Sequence, residues 1–222
     1  MKLITNSSLK TIKCSPKLVP VTLAILLFSL VFTLFSPSLR YGLMDLDDHT
    51  YLSENRLFTE GFSPAAVRSV FSSTQLGMYI PLLDVSFAAD AALMGATAST
   101  PAGFHFTNVL LHALNSVLLF LLLLAFCQKP WRALFFAALW AFHPLRVESV
   151  AWVSGRKDVL SGFLGLLCIG AYVWSWTPGK SRRSATRPAF GLYAVSILFF
   201  TLGLLTKSSL TSVPLSLLLL SF

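Results

Sequence analysis

The succession of long apolar windows constrains this chain more than any other feature. A helix that crosses about 30 Å of hydrocarbon needs roughly 20 residues, because each residue adds about 1.5 Å of length. Of the 222 residues, 55% are hydrophobic and only 12% are charged, and the mean hydropathy is +0.73. This composition excludes a soluble domain of this size and indicates an integral membrane protein.

Six windows predict transmembrane helices. They are residues 18–35, 104–126, 133–152, 159–176, 189–206 and a last one from 210 to the C-terminus, which is barely long enough to cross. The predicted fold class is all-α, a polytopic membrane protein with about six transmembrane helices. The predicted domains are a cytoplasmic basic tail (1–17), the first transmembrane helix (18–35), an extracytoplasmic loop (36–103) and five further transmembrane helices (104–222), the last of them truncated.

The first window also fits a signal peptide. The following residues, FSPSLRYG, contain no small-x-small cleavage site, so an uncleaved anchor is favoured. The net charge of +8 is spread over short segments without a basic patch interleaved with aromatics, which argues against nucleic-acid binding. The three cysteines are scattered and show neither metal-type spacing nor a disulfide framework.

The distribution of charge predicts the orientation of the helices, because cytoplasmic loops are enriched in Lys and Arg. With a cytoplasmic N-terminus, ten of the seventeen basic residues are cytoplasmic: Lys2, Lys10, Lys13, Lys17, Lys129, Arg132, Lys180, Arg182, Arg183 and Arg187. All nine acidic residues then lie outside: Asp45, Asp47, Asp48, Glu54, Glu60, Asp84, Asp90, Glu148 and Asp158. The chemistry of the protein is therefore expected on the outer face.

The long outer loop is expected to contain two helices. In SPAAVRSVF, Ser63 is placed to cap a helix and Pro64 occupies its first position. The segment YIPLLDVSFAADAALMG predicts a second, mostly apolar helix that carries Asp84 and Asp90. Both are predicted to lie along the membrane surface.

The first candidate site is the acidic segment MDLDDHTYLSEN. Neighbouring carboxylates near a low-dielectric surface repel one another, which raises the pKa of at least one of them. Such a carboxylate serves as a general base or binds a divalent cation. The alternative is a solvated acidic turn that caps the next helix.

The second candidate is a polar stripe on the second predicted span. His105, Asn108, His112 and Asn115 follow one another at helical spacing, so they share one face, which is expected to look into the protein rather than into lipid. Hydrogen bonding between helices is the alternative reading for His112 and Asn115. His105 lies nearer the outer surface and is the better candidate for a functional site. A zinc site is not favoured by this spacing.

The third candidate is HPLRVESVAWVSGRKD. If the helix continues through this stretch, Glu148, Trp152 and Arg156 share one face. Arg156 and Lys157 would then start the fourth span, where cations and free backbone NH groups together bind phosphate. The alternative is an interfacial cluster of snorkelling cations around a tryptophan of the aromatic belt, and the same alternative applies to Lys207.

The order of the motifs LDDHTYLSEN, YIPLLDVSFAADAALMG, GFHFTNVLLHALNSVLLFLLL, FHPLRVESVAWVSGRKDVLSG and LGLLTKSSLTSVPLSLLLL resembles the N-terminal membrane half of a bacterial family with C-terminal tetratricopeptide repeats. That family looks related to the transmembrane and tetratricopeptide-repeat O-mannosyltransferases and, more distantly, to the protein O-mannosyltransferases of the GT-C superfamily. The resemblance covers residues 41 to about 220.

The resemblance implies a membrane glycosyltransferase of GT-C type. It would transfer a sugar, such as mannose, from a polyprenyl-phosphate carrier to a protein or other hydroxyl acceptor on the extracytoplasmic face of a bacterial plasma membrane. The acidic pair Asp47 and Asp48 would supply the catalytic base, with no metal ligand assigned, although a divalent cation is compatible with the acidic pair. The groups expected to bind the donor or acceptor are His105, Arg146, Glu148, Arg156 and Lys157.

The chain departs from the family pattern in several places. Arg146 stands where a histidine is frequent, and Gly155 stands where a glutamate is frequent. Related proteins continue through further spans and repeats, so the resemblance implies a partial copy that is an enzyme only if the rest of the fold is supplied. The alternative is a non-catalytic membrane subunit that binds lipid phosphate or a partner protein.

The predicted orientation has a direct test. A reporter fused after Arg183 is expected in the cytoplasm, because Arg183 lies in the basic loop that is predicted to be cytoplasmic. A reporter inserted near Glu54 is expected outside, because Glu54 lies in the acidic outer loop. Reporter activity on each side of the membrane measures this. The opposite pattern would overturn every assignment to the outer face.

Overall fold

The computed structural model describes residues 18–44, 46–176 and 189–221, and the helices found there confirm the all-α prediction. The α-helices of the described chain are α1 (Leu18–Phe35), α2 (Asp47–Ser53), α3 (Arg56–Thr59), α4 (Pro64–Val70), α5 (Pro81–Met94), α6 (Ala102–Cys127), α7 (Pro130–Ala141), α8 (Arg146–Ala151), α9 (Arg156–Ser175), α10 (Phe190–Leu204) and α11 (Val213–Ser221). Short 3-10 turns occupy Ser36–Arg40, Val153–Gly155 and Ser208–Ser212. The predicted basic tail (1–17), Asp45 and the basic loop with Lys180, Arg182, Arg183 and Arg187 lie outside the described residues.

Three helical segments in the described ranges are long and apolar enough to cross a membrane: Leu18–Arg40, Ala102–Cys127 and Val153–Ser175. They correspond to the first, second and fourth of the six predicted spans. The apolar segments Phe190–Leu204 and Ser208–Leu218 are shorter than a full crossing. The prediction of about six spans is therefore confirmed for three of them.

The predicted third span, 133–152, is not one helix. Helix α7 ends at Ala141 and α8 begins at Arg146, so residues 142–145 interrupt it. The cause is Pro144, which has no backbone NH to donate and disfavours helical geometry in the residue before it. The outcome is a 12-residue apolar helix followed by a short polar one.

Helix α6 is the centre of the membrane part, and α1, α7 and α9 pack against it. On α7, Ala133, Ala137 and Ala141 are fully buried at a spacing of four residues. Small side chains on one helix face allow two backbones to approach closely, which is how helices associate where lipid removes the hydrophobic driving force. The alanine face therefore fixes α7 against its neighbours.

The outer loop folds into a second, smaller core. Tyr51, Leu83 and Phe87 pack with Phe104 of α6 and Val153 before α9. The predicted cap of α4 is confirmed, since the Ser63 hydroxyl accepts a hydrogen bond from the backbone NH of Ala66 at 3.1 Å. The loop is thus seated on the N-terminal ends of α6 and α9.

Gly155 lies where the chain passes close to itself. A Cβ atom at this position would be 2.7 Å from the carbonyl oxygen of Ser149 and 2.9 Å from that of Glu148. Backbone oxygens cannot move aside as a flexible side chain can. In this conformation the position therefore has no room for any side chain, including the glutamate that is frequent in the resembling family.

Substitution Gly155→Ala is expected to destabilise the protein by about 1–3 kcal/mol, because it forces two backbone segments apart in a packed region. Thermal unfolding in detergent measures the effect. The matched control is Gly191→Ala, since a Cβ at Gly191 meets no atom within 4 Å. An unchanged unfolding temperature for Gly155→Ala would contradict the close approach.

Candidate functional site

The acidic motif of the outer loop and the segment before α9 meet at one place, which we call the junction. Its residues are Asp47, Asp48 and Tyr51 of α2 together with Trp152, Ser154 and Lys157. Two motifs that lie about a hundred residues apart in the sequence are therefore neighbours in space. Sequence reasoning predicted both motifs on the same face of the membrane but not their contact.

The side chain of Asp48 forms the tie between the two motifs. Its Oδ1 accepts hydrogen bonds from the backbone NH of Ser154 at 2.8 Å and from the Ser154 hydroxyl, and its Oδ2 accepts one from the backbone NH of Met44 at 2.9 Å. The residue is only 1% exposed. Both carboxylate oxygens of Asp48 are thus engaged within the protein.

Asp47 differs from its neighbour in exposure. Its side chain is 38% exposed, and its Oδ2 lies 3.8 Å from the ammonium nitrogen of Lys157, which is 16% exposed. The same ammonium lies 5.3 Å from the ring centre of Tyr51 and 5.6 Å from that of Trp152. Lys157 is therefore held by one carboxylate and two aromatic faces, an arrangement that attracts a cation electrostatically.

Arg156 is fully buried, in contrast to Lys157. Its guanidinium forms an ion pair with Asp90 and donates hydrogen bonds to Asn108 Oδ1 at 2.9 Å, to the Phe104 carbonyl at 2.6 Å and to the Ser86 carbonyl at 3.3 Å. It also lies 4.5 Å from the centre of the Phe87 ring. These contacts join α5, α6 and α9, so the guanidinium is enclosed by protein rather than facing solvent.

The polar stripe on α6 faces the protein interior, as predicted. His105, Asn108, His112 and Asn115 are each at most 1% exposed. The Nδ2 of Asn115 donates to the Val159 carbonyl at 2.8 Å, and the Nε2 of His112 lies 3.0 Å from the Ala141 carbonyl. Hydrogen bonding between helices, the alternative reading for these two residues, is thus what the structure shows.

Asn108 and His105, the two residues of the stripe nearest the junction, lie against the segments that form it. The Nδ2 of Asn108 donates to the Trp152 and Val153 carbonyls at 2.9 and 3.3 Å, while its Oδ1 accepts from Arg156. His105 lies beside Tyr41, with the two rings edge to face at 6.4 Å, and is 1% exposed. His105 is therefore a buried residue next to the first outer turn, not a surface residue.

The prediction that Glu148, Trp152 and Arg156 share one helix face is wrong. Trp152 has an extended backbone, with φ −81° and ψ 129°, which ends α8 and turns the chain before α9 begins. Glu148 is consequently exposed, whereas Arg156 is buried. The guanidinium of Arg146 stacks over the Trp140 ring at 4.6 Å, away from the junction.

Several residues of this region were missed by sequence reasoning. The role of Ser154 could not be predicted from the sequence, because a serine between two apolar segments is common. A carboxylate partner for Arg156 could have been predicted, because a buried cation at the start of an apolar helix needs a nearby carboxylate. Asp90 is that partner, and the Thr107 hydroxyl donates to it at 2.8 Å.

Burial shifts the pKa of two side chains in and next to the junction, Asp84 and Tyr51. Burial raises the pKa of Asp84 from 3.8 to about 7, because the charged carboxylate loses its hydration. Burial, and then the negative charges of Asp47 and Asp84, raise the pKa of Tyr51 to about 12. The Tyr51 phenol therefore stays protonated at neutral pH.

The acidic residues of the junction do not form a metal-binding cluster with their described neighbours. Across residues 18–44, 46–176 and 189–221, no three His, Cys, Asp or Glu side chains gather in a way that could hold a metal ion. Asp158, one of the carboxylates near this region, forms an ion pair with Lys207.

Comparison with known proteins identifies relatives of this chain. Protein O-mannosyl-transferase Tmtc1 of Drosophila melanogaster is 30% identical over 189 residues, which cover 82% of this chain and 20% of that protein. TMTC1 of Mus musculus is 33% identical over 148 residues, covering 64% and 15%, and TMTC4 of Homo sapiens is 35% identical over 114 residues, covering 46% and 15%.

Each of these relatives is a protein O-mannosyl-transferase. The similarity supports a TMTC-like relationship for this chain. The chain spans about a fifth or less of the length of the curated relatives that it matches. No family profile matches the chain, and no solved structure matches it.

The raised pKa of Asp84 predicts a pH-dependent stability. Because the folded state holds a proton that the unfolded state releases above about 3.8, the stability contributed by Asp84 is fully present below that pH, falls as pH rises toward about 7 and is lost beyond it. The slope is on the order of 1.4 kcal/mol per pH unit. Thermal unfolding measured from pH 4 to 8 tests this.

Substitution Asp84→Asn removes this titration, so the decline assigned to Asp84 should disappear in the variant. The matched control is Glu54→Gln, which alters an exposed carboxylate of the same loop and should keep the decline. A decline of equal size in Asp84→Asn and in the unmodified chain would show that another group causes it.

Proposed function

We propose that this chain forms the donor-binding part of a membrane glycosyltransferase. This glycosyltransferase transfers a hexosyl group, such as mannose, from a polyprenyl-phosphate carrier to a hydroxyl group of a protein acceptor on the extracytoplasmic face. The observation that carries the proposal is the half-exposed Asp47 carboxylate 3.8 Å from the Lys157 ammonium. The names of the relatives support the choice of reaction.

The proposal divides the roles of the acidic pair. Asp47 is the base, because it is accessible and its carboxylate is not saturated by hydrogen bonds to the protein. Asp48 is a positioning residue, because its two oxygens already accept three hydrogen bonds. By tying α2 to Ser154, Asp48 holds Asp47 opposite Lys157.

The two neighbouring cations, Arg156 and Lys157, also have different roles. Lys157 contacts the phosphate of the donor, since an ammonium held loosely by one carboxylate can exchange that partner for a phosphate oxygen. Arg156 fixes the start of α9 from within, and so sets the position of Lys157. The other residues expected to bind donor or acceptor are assigned no part in the chemical step: Glu148 is exposed, Arg146 stacks over Trp140 and His105 is buried beside Tyr41.

The chemical step is a single displacement. The acceptor hydroxyl oxygen forms a bond to the anomeric carbon while Asp47 takes its proton. The bond between the anomeric carbon and the phosphate oxygen breaks, and its electron pair leaves with the polyprenyl phosphate. Lys157 offsets the charge that develops on the departing phosphate. The anomeric centre is inverted.

The wider setting of the proposal follows the sequence expectations. The fold is of GT-C type, the chain lies in a bacterial plasma membrane with its N-terminus in the cytoplasm, and membrane lipid surrounds it. A divalent cation at Asp47 would strengthen the contact with the donor phosphate, and the effect of a chelator on transfer tests this point.

Transfer of labelled mannose from polyprenyl-phosphate mannose to a serine- and threonine-containing protein tests the proposal, with the chain reconstituted in membranes. Asp47→Asn is expected to lower the rate by about 10²- to 10⁴-fold, as loss of a general base does, without changing the unfolding temperature. Asp48→Asn is expected to lower both transfer and stability, because it breaks the tie to Ser154. Ser154→Ala should share the loss of stability.

The matched control is Glu54→Gln, an exposed acidic position of the same loop, which should transfer at the unmodified rate. Undiminished transfer by Asp47→Asn would rule out its role as base. Donor binding without any transfer in the unmodified chain would instead favour the non-catalytic membrane subunit.

A further inference from the structure

Three buried polar atoms in and next to the junction have no hydrogen-bond partner. They are the phenolic oxygen of Tyr51, the indole nitrogen of Trp152 and the Oδ1 atom of Asp84. Most buried polar atoms in folded proteins have a partner, and those that do not call for an explanation, such as a functional role or a missing ligand. The Asp48 carboxylate, a few residues away, is fully satisfied. Other unpaired buried atoms of the described residues belong to side chains such as Gln75, Asn115 and Arg146, but Tyr51 and Trp152 also pack against the Lys157 ammonium.

Two of these three side chains pack against Lys157, the proposed phosphate contact. The Lys157 ammonium lies 5.3 Å from the Tyr51 ring and 5.6 Å from the Trp152 ring. Asp84 follows Leu83, which packs with Tyr51 in the core of the outer loop. Lys157 thus lies beside two aromatic side chains with unpaired polar atoms, in addition to the half-exposed Asp47 carboxylate.

We propose that Tyr51, Trp152 and Asp84 form the sub-site that binds the hydroxyl groups of the hexosyl group carried by the donor lipid. The proposal rests on the function proposed above and adds the residues that recognise the sugar. In this arrangement Lys157 moves toward the donor phosphate, and its movement uncovers the three atoms.

The chemistry of the three groups matches a sugar. Each hydroxyl group of a hexose both donates and accepts hydrogen bonds, so its recognition needs donors and acceptors together. The indole of Trp152 is a donor, while the phenol of Tyr51 can donate and accept. The pKa of about 7 lets Asp84 carry a proton near neutral pH, so its carboxyl group can also do both. Aromatic rings add an apolar surface for the ring hydrogens of the sugar.

Binding of two lipids separates sugar recognition from phosphate recognition. The probes are polyprenyl-phosphate mannose and the same polyprenyl phosphate without sugar, each titrated into the full chain in lipid nanodiscs. The unmodified chain is expected to bind the mannose-carrying lipid more tightly. Tyr51→Phe and Trp152→Phe are each expected to reduce this preference by about 2- to 12-fold, the effect of one lost hydrogen bond.

The controls are the same substitutions far from the junction. Tyr172 lies fifteen residues after Lys157 on α9, about 22 Å away along the helix, and Trp131 is exposed at the start of α7. Tyr172→Phe and Trp131→Phe should keep the full preference. Affinity for the sugar-free lipid should be the same in all four variants.

Thermal unfolding supplies a second readout that a purely structural role would not reproduce. Tyr51→Phe removes an oxygen that has no partner, so the unfolding temperature should stay the same or rise while the preference for the sugar falls. A lower unfolding temperature with an unchanged preference would show that the phenol is structural, for instance through an enclosed water, and would overturn the sub-site.

The outcomes distinguish the two proposals. A chain that prefers the mannose-carrying lipid, loses that preference in Tyr51→Phe and Trp152→Phe, and shows no transfer keeps the sub-site and rejects the proposed catalysis. Equal binding of the two lipids by the unmodified chain overturns the sub-site even if transfer is observed. A preference that survives both substitutions overturns it as well.

Discussion

The buried guanidinium of Arg156 is the constraint on which the outer half of the structure depends. A charged group removed from water is tolerated only when opposite charge and hydrogen bonds replace its hydration, and loss of one partner of such a pair costs about 3–5 kcal/mol. Asp90, Asn108 and two backbone carbonyls fulfil that need. Because these partners come from α5 and α6, satisfying one side chain fixes how the outer loop sits on the membrane helices.

The junction follows from this arrangement. Because α9 starts at Arg156, the next residue, Lys157, projects toward α2. There its ammonium lies near the Asp47 carboxylate and the rings of Tyr51 and Trp152. Asp48 closes the same contact from the other side through Ser154. Buried pairing thus supplies rigidity, while the half-exposed pair beside it supplies groups that can change partners.

Local patterns in the sequence predicted the parts of the fold that depend on neighbouring residues. The apolar windows gave α1, α6 and α9, Ser63 and Pro64 gave the start of α4, and helical spacing placed the stripe from His105 to Asn115 on an inward face. Contacts between distant segments had no such signal. The tie from Asp48 to Ser154 spans 106 positions, and the break at Trp152 depends on packing around Gly155 rather than on local preference.

The extended backbone of Trp152 separates one continuous polar motif into two parts with different surroundings. Arg146 and Glu148 lie on a short helix with an exposed face, whereas Ser154 and Arg156 are enclosed by protein. Substitutions before the break therefore affect mainly an exposed surface, while those after it disturb the packing of several helices. The first half of the motif can change with little effect on the fold, whereas the second half is constrained by packing.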